Sequence, residues 1–199
     1  MYPDAEWIEV PAATRFPIEL EPPPGFSPGY PETWPGVIGR LEWVSGRLLW
    51  MPLCDLAQGV VCASAAGLLG AWARAHPDFF VGASEAGLQL GGDVRGADAA
   101  VWRRCDVDPR SPRFADVPPV LAVEVSGREE REHTLRAKAR WYCSHGVAVV
   151  WLLLSETQEV VVLHADGDEA RLDRRDRIPP HPALPGLTPR IDCLFQRLG

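Results

Sequence analysis

Three ionisable side chains stand where the surrounding sequence predicts burial. Asp98 interrupts Ala97-Asp98-Ala99-Ala100-Val101-Trp102, and Glu124 interrupts Val120-Leu121-Ala122-Val123-Glu124-Val125. A carboxylate inside such a strand is costly unless it is paired or bound to a metal. Two of them, on strands joined by a connection of moderate length, can lie side by side. A divalent cation is the usual resolution of their repulsion. Lys138 is the third: Leu135, Lys138 and Tyr142 follow i, i+3, i+7 spacing, which places the lysine on a helix's inward stripe. It is also the only lysine among 20 Lys and Arg, and a compact ammonium is not interchangeable with a guanidinium at a catalytic position. Each residue has an ordinary alternative. Asp98 could face water on an edge strand, Glu124 could pair with Arg95 or Arg128, and Lys138 could snorkel outward. Singly the ordinary reading is favoured; jointly, three inward charges on successive elements favour a site.

Other constellations carry less. Cys143 and His145 lie near a helix end and Ser126 could pair with Lys138, but there is no Gly-x-Ser-x-Gly elbow or oxyanion loop. Asp106-Val107-Asp108 opens like a calcium loop and lacks the later Gly and Glu. Arg103, Arg104, Arg110 and Arg113 crowd the loop between the two acidic strands, and Arg128, Arg131, Arg136 and Arg140 follow the Glu. They are candidates for phosphate contact, equally balanced against a solvated face neutralised by Glu129, Glu130 and Glu132. Arg171 to Arg177, interrupted by Asp173 and Asp176, reads as ordinary surface.

The elements that must position these residues follow from pattern. Residues 1–35 hold nine of the 20 prolines, too many for a helix or central strand. They predict an extended arm, residues 1–39, pinned by Trp7, Phe16, Phe26 and Trp34. From residue 40 to 199 one domain is expected. Leu41–Val44 and Arg47–Met51 read as a hairpin turning at Ser45-Gly46. Asp55 is an N-cap for a helix to about Ala75, with Val60, Val61, Leu68, Leu69 and Trp72 on its apolar face. Strand-like pieces follow at Phe79–Val81, Ala86–Leu90, Ala97–Trp102 and Val120–Val125. A helix from about Arg128 to Ser144 comes next, then strands at Val147–Leu154 and Glu159–His164 and a short final strand. Without regular βαβ alternation, the expected class is α/β with a mixed sheet flanked by helices.

Composition bounds the function. The 199 residues are 46% hydrophobic with eight Trp, enough for a sizeable core, and the net charge is -7. With a sequence pI near 5.2, the chain is no general coat for nucleic acid, although an enzyme touching DNA locally remains compatible. Five cysteines, with no C-x-x-C pair, suit a reducing cytoplasm. No basic-then-apolar leader is evident. The run Val147–Leu154 falls far short of the ~20 residues a bilayer span needs, so no membrane association is expected.

From Leu41 onward the chain resembles the Uma-type restriction endonucleases of bacteria, a branch of the PD-(D/E)XK nuclease superfamily. The resemblance rests on Leu41-Glu42-x-x-x-Gly46, Met51-Pro52, Ala97-Asp98, Pro118-Pro119-x-Leu121-x-Val123-Glu124-Val125-x-Ser126, Lys138-x-x-x-Tyr142-x-x-x-Gly146-Val147-x-x-x-Trp151-Leu152 and Leu184-Pro185-Gly186-Leu187. It implies a restriction-endonuclease-like core hydrolysing phosphodiesters with a metal-activated water. Asp98, Glu124 and the Val125 carbonyl would hold Mg²⁺ or Mn²⁺, Glu42 could add a carboxylate, and Lys138 would orient the water or neutralise the transition state. Gln58, Ser126 and Tyr142 are supporting positions, and Arg103, Arg104 and Arg128 candidate DNA contacts. Ser126 stands where the superfamily usually has its lysine, which here comes from the following helix. Ala97 replaces a proline, Thr134 an Asp, Gln58 a His and Val149-Val150 a Glu-Tyr. Two functions remain: a cytoplasmic, homodimeric metal-dependent endonuclease acting on DNA, or a nuclease fold that binds or assembles without cutting.

Overall fold

The computed structural model describes residues 14–127 and 132–195. Trp7, Arg128, Glu129, Glu130 and Arg131, named above, lie outside the described residues. In chain order the strands and helices are β1 (Ile18–Leu20), β2 (Arg40–Val44), β3 (Arg47–Met51), α1 (Leu56–Ala75), β4 (Phe79–Leu90), β5 (Asp93–Arg103), β6 (Leu121–Val125), α2 (Glu132–Ser144), β7 (Val149–Leu154), β8 (Glu159–His164) and β9 (Glu169–Leu172).

The strands form one sheet in the order β1-β3-β2-β5-β6-β7-β8-β9, with β4 along β5. Since β4 covers one side of β5, the other side is shared: β2 pairs with its start at Trp43–Val94 and β6 with its far half at Ala99–Val123. All pairings are antiparallel except β6 with β7, the pair joined through α2, because parallel neighbours need a crossover. The mixed α/β sheet expected from the sequence is what forms.

Sheet faces explain the apolar runs. Along β7, Val149, Trp151 and Leu153 join one core with Val61, Leu69 and Trp72 of α1; Val150, Leu152 and Leu154 join another with Leu135, Ala139 and Tyr142 of α2. Covered on both sides, β7 has no reason to alternate with polar residues.

Local devices follow sequence closely. Ser45 (φ 50°) and Gly46 (φ 78°) are both left-handed, as a two-residue hairpin turn demands. The Asp55 carboxylate accepts from Gln58 N at 2.8 Å, capping α1.

Three expectations change. Residues 79–81 and 86–90 are parts of one strand, β4, whose register shifts between Ala83 and Ala86. The proline-rich arm contributes β1, an edge strand paired with β3, a place where prolines nearby do no harm. Finally, α1 is long and apolar enough to cross a membrane by length and composition alone, a longer apolar stretch than 147–154. It lies against the sheet, burying Val61, Ala65, Leu69 and Trp72.

Candidate active site

The register of β5 and β6 brings the two acidic strands together. Ala99 lies opposite Val123, so Asp98 and Glu124 are the next positions along the two strands. Both are buried, together with Glu42 and Gln58. Asp98 Oδ2 accepts from Val125 N at 2.7 Å. Glu124 Oε1 accepts from Tyr142 OH at 2.7 Å and Oε2 from Lys138 Nζ at 3.0 Å. Lys138, reaching in from α2, also contacts Glu42 Oε1 at 2.8 Å and the Gly96 carbonyl at 2.7 Å. The lysine therefore bridges a carboxylate of the hairpin and one of the central sheet. Gln58 Nε2 donates to the Val125 carbonyl at 2.9 Å, so the cap of α1 and the site meet in one residue.

Sequence pattern does not single out two other members. Glu85, at the β4 irregularity, pairs through Oε1 with Arg40 Nη1 at 2.9 Å. Its charge acts on Asp98 and Lys138. The break between residues 81 and 86 was the only signal for Glu85; Arg40 has none beyond lying two residues before Glu42. Burial, followed by the charge of Asp98, also pushes up the pKa of the Cys62 thiol on α1.

Electrostatics express crowding. Burial, then Glu85, raises Asp98 to about 6. Burial raises Glu124 to about 8 against the pull of Lys138, with Asp98 adding to the rise. Burial opposes charge on Lys138, yet Glu124 and Glu42 carry its pKa well above normal. Among the described residues, four carboxylates (Glu42, Glu85, Asp98, Glu124) crowd beside two cations (Arg40, Lys138) in a poorly solvated place, and the crowding shows in the raised pKa values of Asp98 and Glu124.

The other expected residues lie differently. Ser126 does not meet Lys138: its Oγ accepts from Ser155 N at 2.8 Å and its carbonyl from Ser155 Oγ at 2.9 Å, which ties β6 to the end of β7. Arg95 pairs with Asp93 at 3.4 Å and stacks over Trp141, leaving Glu124 to Lys138. Arg103 and Arg104 fall at and beyond the end of β5, roughly 16 Å or more along the strand from Asp98. Arg104 Nε donates to the Pro77 carbonyl at 2.9 Å. Arg136 is held by Glu132 and Glu169. Burial pushes the Cys143 thiol up, unlike a nucleophilic cysteine.

The donor set fits a hard divalent cation: two adjacent buried carboxylates and a backbone carbonyl, all oxygen. Among the described residues no group of three or more His, Cys, Asp or Glu is arranged to hold a metal ion, so the carbonyl or water would have to complete the coordination.

Comparison with known proteins agrees with the fold. A crystal structure titled as a "putative nuclease belonging to DUF820" from Anabaena variabilis ATCC 29413 superposes with a TM-score of 0.72 at 15% identity, covering 82% of this chain and 94% of that one. No curated protein matches the chain. The family model described as "Uma2: Putative restriction endonuclease" matches residues 30–193, beginning within the proline-rich arm and ending in the last described turn. The chain belongs to the family so described, and its fold is that of the Anabaena structure.

Proposed function

We propose that the protein is a metal-dependent endonuclease that hydrolyses DNA phosphodiesters with an activated water. The observation that carries this reading is Lys138 held between Glu42 and Glu124, beside Asp98, in a buried centre crowded with carboxylates. Asp98, Glu124 and the Val125 carbonyl would hold Mg²⁺ or Mn²⁺, with Glu42 contributing directly or through water. Bound there, the ion would supply a water of lowered pKa and stabilise charge on the phosphate oxygens.

The chain's own groups do the positioning. Tyr142 and Lys138 fix both oxygens of Glu124, and Gln58 fixes the Val125 carbonyl. Lys138 would orient the attacking water or neutralise the developing charge on the phosphate. Arg103 and Arg104 would contact DNA beyond the cleavage point, and Arg128 is a further candidate for DNA contact. One site per chain cuts one strand, so cleavage of a duplex calls for a homodimer. Free cysteines suit action in a reducing cytoplasm.

A second reading, a nuclease fold that binds without cutting, is favoured by Glu124, whose two oxygens are already engaged by Tyr142 and Lys138. A plasmid-nicking assay with Mg²⁺ or Mn²⁺ separates the two. The endonuclease reading expects nicking that disappears in Asp98→Ala and in Glu124→Ala. Equal nicking by wild type and both variants, or none by the wild type, refutes it.

A further inference from the structure

We propose that Arg40 grips the substrate's phosphate and that Glu85 is the counter-ion it releases when substrate arrives, an inference that rests on the nuclease reading above. Arg40 opens β2 two residues before Glu42, and its Nη1 lies 2.9 Å from Glu85 Oε1. The Arg40 side chain is 14% exposed and that of Glu85 32%. Glu85 is thus the more exposed member of the pair, whereas the Glu124 side chain is buried. Both reach the centre electrostatically, since Glu85 repels negative charge on Asp98 and Arg40 favours it.

Glu85 is held there by an unusual backbone. Ser84 (φ 58°) and Glu85 (φ 61°) are consecutive non-glycine residues in the left-handed region, at the register shift of β4. Such a conformation persists only where its surroundings over-determine it, and it concentrates at working sites. Room for the side chain comes from Gly96, where a Cβ would meet Glu85 Oε2 at 2.5 Å. A surface ion pair needs no such arrangement. The strained segment places a carboxylate where its charge opposes that of Asp98, and next to a guanidinium that pairs with it.

Phosphate satisfies that guanidinium in the same way. Arg presents a planar fork that takes carboxylate or phosphate oxygens in bidentate fashion. A phosphate on Arg40 would displace Glu85 and let it swing toward solvent, away from Asp98. Lys138 is held by Glu42, Glu124 and the Gly96 carbonyl, within the acidic centre.

The test is binding of a short labelled DNA duplex, followed by fluorescence anisotropy with Ca²⁺ present to prevent cleavage. The proteins are wild type, Glu85→Gln, Arg40→Gln, Arg40→Lys and the Arg40→Gln, Glu85→Gln double variant. Manganese calorimetry is run on each. Glu85→Gln should bind roughly tenfold tighter and Arg40→Gln roughly tenfold weaker. The gain from Glu85→Gln should vanish once Arg40 is gone. Arg40→Lys keeps the charge and loses the fork, so it should fall between wild type and Arg40→Gln, and it decides the matter if Arg40→Gln fails to fold. A gain from Glu85→Gln that survives in the double variant is general charge removal and overturns the exchange. So does unchanged binding in Glu85→Gln, or loss of manganese binding there, which would make Glu85 a metal ligand. DNA binding by no protein in the set overturns the nuclease reading and this proposal together; wild-type binding unaffected by Arg40 overturns this one alone.

Discussion

Lys138 bridges two buried carboxylates, and removing it deletes the ion pair of each. Lys138→Ala should cost about 3–5 kcal/mol of stability and lower nicking by ~10²-fold or more, measured by chemical denaturation and by the plasmid assay. The carboxylates also set a pH dependence. Asp98 and Glu124 have folded pKa values raised to about 6 and about 8. Between their ordinary values and these, the folded state binds more protons than the unfolded one, so stability falls as pH rises. Without divalent metal, the unfolding temperature should drop by ~5 °C or more from pH 5 to pH 8. Manganese should restore it most at the alkaline end, and Glu124→Gln should flatten the slope; a melting temperature that rises over this range counts against the buried acidic centre. At this scale much was legible, because a charge breaking an apolar strand is visible in one dimension. Asp98, Glu124 and Lys138 stood out that way. Glu85 and Arg40 did not, since neither interrupts an apolar strand read from the sequence and each meets the other only in the folded sheet, 45 residues apart along the chain.

Each element presents one part of the site. The cap at Asp55 fixes the first turn of α1, and that turn carries Gln58 to the Val125 carbonyl. Asp55→Ala should cost ~1 kcal/mol and lower activity, whereas a cap replacement such as Asp55→Ser should keep most of both; thermal unfolding and nicking assays check this. Helix α2 carries Lys138 and Tyr142 one turn apart, so both reach Glu124. Tyr142→Phe removes only a hydroxyl from a buried carboxylate, a loss of about 1–3 kcal/mol visible in denaturation with the fold intact. The hairpin and both helices were readable because turn chemistry, capping and 3.6-residue periodicity are local. The continuity of β4 was not. Its two halves are joined by a bulge, and a bulge is defined by its partner strand rather than by its own residues.

For the whole molecule, the two cores on either side of the sheet explain why so much apolar sequence runs without alternation. The α/β class was therefore legible, but the route of the strands was not. That β5 would be shared between β2 and β6 depends on pairings far apart in sequence. The arm shows the same limit: its prolines forbade a central strand and left open an edge strand. Deleting residues 1–22 would expose the edge of β3, covered by β1, and should promote aggregation while leaving nicking by the soluble fraction measurable. The most direct test of the central claim is manganese titration by calorimetry on wild type and on the Asp98→Ala, Glu124→Ala double variant. A metal-dependent centre predicts saturable binding to the wild type that is lost in the variant; no binding to the wild type, or the same binding to both, contradicts it.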